Sequence, residues 1–163
     1  MTWLILAIGS TLTISFVCSL LEALVLSTTT AEIEGLKKSR PRRGQRLETI
    51  KQELDETISA ILTLNTIANG LGSVVIGALG AHLFGDRALV VITIAFGAVL
   101  LVGAEVLPKT IGVVYRRALQ PLVVYPLWWI RRVLTPITWA CNAIVRAVIG
   151  QTRHIHRSDE EII

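Results

Sequence analysis

Charged side chains are almost absent from three stretches of the chain, 1–31, 57–85 and 88–104, and crowd into the segments between and after them. Each stretch supplies the roughly 20 apolar residues that an α-helix needs to cross about 30 Å of hydrocarbon. The pattern predicts spans over about 3–27, 57–84 and 88–107. The second ends at the tight turn Gly85-Asp86-Arg87, and the third stops at Pro108-Lys109, where proline breaks the helix and lysine anchors it in the belt that follows. The expected fold is therefore all-α and integral to a membrane, with three transmembrane helices in a multi-pass protein of the cell (plasma or inner) membrane.

The polar segments set the expected orientation. Residues 28–56 hold seven Lys/Arg, the segment from Lys109 onward holds eight, and the 85–87 turn holds Arg87 alone. Basic loops stay cytoplasmic, so the N-terminus is expected outside and the C-terminus inside. Pro41 and Gly44 are expected to divide 28–56 into two short helices. Region 109–150 is apolar but interrupted by Pro121, Pro126 and Pro136 and by the pairs Arg116-Arg117 and Arg131-Arg132. Together with Trp128-Trp129 this suits belt helices lying in the interface. A fourth span with a re-entrant turn competes, at a cost of about 2.5–3.5 kcal/mol for each mid-span arginine. Residues 1–150 thus read as one membrane domain and 151–163 as a cytoplasmic linker. Ser158-Asp159-Glu160-Glu161 has capping-box spacing, so a helix is expected to begin there and lead into a further domain.

Composition changes the picture little. Of 163 residues, 52% are hydrophobic and 17% charged, and the mean hydropathy is +0.62, which excludes an ordinary soluble domain. The net charge of +4 comes without any aromatic–basic module, so nucleic acid is not an expected partner. The N-terminal MTWLILAIGS lacks a basic n-region and reads as a retained helix. Cys18 and Cys141 form neither a disulfide pattern nor a zinc motif. His82 falls at the outer end of the second span, and His154 and His156 read as linker. No nucleophile elbow, aspartate pair or phosphate-binding loop is present, so the protein is not expected to be an enzyme.

Polar residues inside the spans are the informative ones. Glu105 follows a long apolar run, where a carboxylate must be paired, hydrated or bound to a cation; the competing reading has it snorkel and pair with Lys109 at i+4. Asn65 and Asn69 share one helix face, and Ser73 continues the line. Their oxygens are hard ligands suited to Mg²⁺, Ca²⁺ or Na⁺, or else they hydrogen-bond between helices. Ser15, Ser19 and Glu22 follow helical spacing in the first span, where hydroxyls can also bond back to their own helix carbonyls. Gly70, Gly72, Gly77, Gly80, Ala78 and Ala81 mark the second span as an interface helix, between subunits or within one.

Three of these elements resemble the transmembrane domain of the CNNM/CorC family of magnesium transport proteins. Ser19-Leu20-Leu21-Glu22-Ala23 with Ser27 is similar to that family's first-helix motif, Asn65-Thr66-Ile67-Ala68-Asn69 to its second, and Gly103-Ala104-Glu105-Val106-Leu107-Pro108-Lys109 to its third. Ala104 stands where the family has glycine, and Leu24 where it has a small residue. The resemblance implies a homodimer in the lipid bilayer with a cation, Mg²⁺ and possibly Na⁺ as coupling ion, held between the three helices. The implied ligands are Ser19, Asn65, Asn69, Glu105 and carbonyls near Gly103 and Ala104; Ser15, Glu22 and Ser73 are further polar candidates by helical spacing alone. It also implies a CBS-domain pair beyond the linker, and Mg²⁺ transport, with Na⁺-coupled efflux as one form of it. The alternative is a non-transporting scaffold or sensor that regulates another ion transporter.

Overall fold

The computed structural model describes residues 1–153, which form helices joined by very short connections. Helix α1 covers Thr2–Ser27, α2 Thr30–Ser39, α3 Pro41–Gln52, α4 Leu54–Phe84 and α5 Asp86–Val99. A π-helical segment, Leu100–Val106, continues α5 into α6 (Leu107–Val114), and α7 covers Arg116–Arg153. Among the described residues three helical stretches are long and apolar enough to cross a membrane, Thr2–Ser27, Leu54–Phe84 and Leu89–Val114.

The third span departs from expectation. It does not stop at Pro108 but runs on to Val114. The π-helical segment is the reason. Leu107 N–H donates to the carbonyl of Val102, five residues back, and Pro108 then falls in the first turn of α6, where a missing N–H does no harm. In the same register residue 108 would be the donor to Gly103, and proline has no N–H to give. Glu105 consequently lies within its span, nine residues short of Val114, rather than at its end.

Two other expectations shift. The 28–56 segment does form two helices, but the break is at Arg40-Pro41, with Pro41 opening α3. Gly44 lies inside α3, buried, where an added Cβ would come within 2.6 Å of the Lys37 backbone; it lets α2 and α3 close on each other. Region 109–150 contains the end of the third span and then one long helix, α7, with all three prolines inside it. Because α7 runs through residue 150 to Arg153, the helix has no joint at that boundary. The helix start at Ser158, and His154 and His156, lie outside the described residues.

Packing explains why these helices stay together. Helix α1 is central, in contact with α4, the π segment, α6 and α7. One apolar cluster, Leu4, Ile76 and Phe96, lies toward the start of α1. A second, including Cys18, Leu21, Leu24, Val25, Ile50, Ile61, Val123 and Leu127, lies toward its end and brings in α7. The α4–α5 turn closes at Gly85, whose φ of 77° favours glycine. Helix α7 buries Val123, Val124 and Leu127 while Leu122, Tyr125, Trp129 and Val133 remain exposed, an amphipathic helix packed against the end of α1.

Candidate cation site in the middle of the bundle

Two close approaches fix the helix registers. A Cβ on Gly72 of α4 would come within 2.2 Å of Thr11 Oγ1, and one on Gly112 of α6 within 2.8 Å of the Leu20 carbonyl. Thr11, Ser15 and Ser19 recur at i, i+4 and i+8, so they share the face of α1 that Thr11 presents to α4. Since α4 runs antiparallel to α1, stepping from Thr11 and Gly72 toward the belt helices brings Ser15 to about the depth of Asn69 and Ser19 to about that of Asn65. Helix α6 runs parallel to α1, and the pair Lys109 Nζ–Glu22 Oε2 at 3.3 Å acts as a second ruler. Gly103 shares a cleft with Leu12, Thr13 and Phe16 of α1, so Glu105, two residues further along, lies between the levels of Ser15 and Ser19. Serines, asparagines and glutamate thus share a layer between the two apolar clusters.

The hydrogen bonding of that layer is unusual. Ser15 and Ser19 are 0% and 1% exposed, yet neither hydroxyl has a partner, and Asn69 Oδ1 is likewise buried and unpartnered. These are the three buried side-chain oxygens left without a bond among the described residues. Other hydroxyls of α1 do bond back to their own helix: Ser10 to Ala7, Thr13 to Gly9 and Ser27 to Leu24. Back-bonding therefore does not account for Ser15 and Ser19. Asn69 Nδ2 donates to Asn65 Oδ1 at 3.4 Å, which ties the two amides together within α4 instead of bridging helices and leaves the Asn69 oxygen free.

Glu105 is half-buried, with Ala104 buried beside it and Gly103 exposed. Lys109, which could have answered Glu105 at i+4, instead donates to Glu22. Among the described residues Glu105 has no ion pair or hydrogen bond. Gly103 lines a cleft of about 310 Å³ between α1 and the π segment, with Leu12, Thr13, Phe16 and Val99. Ser73 is exposed on α4 and is not gathered into the layer. Glu22 is engaged by Lys109 one turn further in. The donor set that remains, one carboxylate with amide, hydroxyl and carbonyl oxygens, is hard and suits a small hard cation.

A second polar cluster escaped the reading of the sequence. Glu32, with its side chain 8% exposed, accepts from Arg116 Nε at 3.0 Å and Arg117 Nε at 2.9 Å. Gln120 Nε2 donates to Glu32 Oε2 at 3.2 Å and to Thr28 Oγ1 at 3.3 Å. Glu32 also closes a capping box with Thr29 at the start of α2. Burial alone would raise the Glu32 carboxyl, but the bonds from Arg117, the Thr29 backbone and Arg116, with the charge of Arg116, outweigh it and hold the group down at about 2. The spacing Thr29-x-x-Glu32 was a visible cue for the cap; the arginines are too far along the chain for any local cue.

A polytopic helical membrane domain with a polar layer at mid-depth is the class of protein this architecture defines. The chain matches the cyclin M transmembrane N-terminal domain over residues 5–163 and belongs to that family. It is similar to the UPF0053 protein sll1254 of Synechocystis sp., with 28% identity over 148 residues, 91% of this chain and 43% of the relative. Against the UPF0053 inner membrane protein YfjD of Escherichia coli the identity is 32% over 114 residues, 70% of this chain and 27% of that protein. A UPF0053 protein of Haemophilus influenzae is 22% identical over 125 residues, 77% of this chain and 30% of the relative. The chain thus spans less than half the length of each of these relatives.

Proposed function

We propose that this domain carries a divalent metal cation, Mg²⁺ before others, through a site in the middle of the bundle. The observation that carries the reading is the trio of unpartnered buried oxygens, Ser15 Oγ, Ser19 Oγ and Asn69 Oδ1, at the depth of an unpaired Glu105. A buried polar atom without a partner is costly, and a cation relieves several at once. Asn65 and the carbonyls of Gly103 and Ala104 complete the set, the Gly103 carbonyl being the one that Pro108 cannot serve. Broken helical backbone near the midplane is the usual way a membrane protein turns carbonyls toward an ion. One carboxylate among neutral oxygens binds a strongly hydrated ion weakly enough to release it, which suits carriage rather than catalysis.

With basic segments on the cytoplasmic side the cavity faces inward, and two copies would pair through the exposed small and apolar face of α4 around Gly70 and Val74. Outward movement of Mg²⁺ against 100 mV costs about 4.6 kcal/mol, so efflux requires coupling, with Na⁺ entry as the natural source. Its test is thermal unfolding of the full chain in micelles with and without Mg²⁺. The wild type gains about 2.7 kcal/mol at a hundredfold excess over its dissociation constant, and Glu105→Gln gains none. Undiminished protection in Glu105→Gln overturns the site. Mg²⁺ flux into proteoliposomes no greater than into empty vesicles would instead favour a scaffold or sensor.

A further inference from the structure

Basic side chains on the belt divide into two groups. Lys37 is answered by Glu34 and Glu48, Arg116 and Arg117 by Glu32, and Arg131 by Glu53 and Glu56. Arg40, Arg42, Arg43 and Arg46, like Lys38, Lys51 and Arg132, have no carboxylate partner among the described residues, and the four arginines fall together on α3 and its joint with α2. Three of them, Arg40, Arg42 and Arg43, line an open cleft of about 590 Å³ with Pro41 and Tyr125. Arg43 is held in place by donating to the Pro121 carbonyl at 2.9 Å and stacking 5.4 Å from the Tyr125 ring. Arg46 lies 4.9 Å from the same ring and 5.2 Å from Trp128. Unneutralised guanidinium groups around a cleft are a receptor for phosphate. The first turn of α3 adds to it, because no side chain caps that helix.

What distinguishes a lipid from other phosphates is the surface next to the cleft. Tyr125 belongs both to the cleft and to the exposed stripe Leu122, Tyr125, Trp129 and Val133 of α7. That stripe suits acyl chains, and aromatic residues sit naturally at headgroup depth. We infer that the cleft between the α2–α3 joint and α7 binds the headgroup of an anionic phospholipid, with the acyl chains along the α7 stripe. Arg40 and Arg42 would grip the phosphate, and Arg43 and Tyr125 would set its position at the edge of the apolar surface.

The test titrates the full chain in neutral micelles with phosphatidylglycerol or with phosphatidylcholine of the same chain length, following the unfolding midpoint and tryptophan fluorescence. Phosphatidylglycerol is expected to give a saturable rise in midpoint that weakens with salt, and phosphatidylcholine none. Arg40 and Arg42 are both exposed, so Arg40→Gln/Arg42→Gln leaves the core alone and is expected to weaken half-saturation roughly thirty-fold. Equal responses to the two lipids, or an intact phosphatidylglycerol response in the double variant, overturn the proposal. So does reproduction of the shift by inorganic phosphate, which would mark a soluble phosphate site, or by a polyglutamate peptide, which would mark a protein-docking surface.

Discussion

The middle of the bundle and the belt beneath it both bury polar groups, but they treat them in opposite ways. In the belt every demand of Glu32 is met, by two arginines, a glutamine and a backbone N–H. In the middle, two serines and an asparagine oxygen go unanswered, and Glu105 is left without the lysine its own helix offers. A satisfied network holds parts of a structure together, whereas unsatisfied atoms in a packed core need some other partner. The belt network is therefore structural, joining the end of α1 and the start of α2 to α7, and the central layer is where the proposed cation would find its partners.

The widest gap between the two regions should appear on removing a polar group from each. Glu32→Gln strips the charge that Arg116 and Arg117 converge on, and is expected to cost about 2–3 kcal/mol of stability whether or not Mg²⁺ is present. Acid should imitate it. The carboxyl titrates at about 2 in the folded protein, below its ordinary value of 4.5, so its contribution is complete above that ordinary value. It fades as pH falls from about 4.5 toward 2. Unfolding midpoints measured across that range should drop more in the wild type than in Glu32→Gln. Parallel curves would show that the arginines do not depend on this carboxylate.

At the central layer the sign reverses. Ser15→Ala and Ser19→Ala remove buried hydroxyls that bond to nothing, so metal-free stability should hold or rise by about 1 kcal/mol. Protection by Mg²⁺ should weaken in both, by roughly tenfold or about 1.4 kcal/mol for a lost ligand. Unfolding curves at graded Mg²⁺ separate the two effects. A metal-free loss above 1 kcal/mol in either variant would mean that the hydroxyl is structural after all, and the contrast with Glu32 would vanish.

The three spans were legible because hydrophobic length is a local property, and Ser19, Asn65, Asn69 and Glu105 stood out because polar residues are rare within such lengths. The course of the third span was not legible. Pro108 stops a regular α-helix, and only the shift to π-helical bonding over Leu100–Val106 lets the chain absorb it. The expected span 88–107 set Glu105 two residues from its end, and the shift leaves it nine residues short of the end at Val114. Gly44 misled for a related reason: glycine marks a break in a sequence, but here it marks the closest approach of two helices. The Glu32 network joins residues more than eighty positions apart, and no periodicity reveals such a meeting.

Lys109 gives the smallest effect and the sharpest question. Glu105 and Lys109 are spaced to pair on one helix face, and in that case the lysine would compete with any cation for the carboxylate. Lys109→Ala would then tighten Mg²⁺ binding severalfold. The geometry sends Lys109 to Glu22 instead, at 3.3 Å, with the lysine side chain 48% exposed. The Glu22 side chain is only 16% exposed, so the pair lies at the upper end of the surface range and the variant should lose about 1 kcal/mol of stability. Glu22, one turn inward of the layer, would be freed without gaining access to it. The Mg²⁺ concentration at half-protection should therefore stay within about twofold of the wild type, a change worth only about 0.4 kcal/mol. A clear tightening would mean that Lys109 serves Glu105 as its counter-charge in solution, and the central layer would then resemble the belt, with its charge already answered by protein.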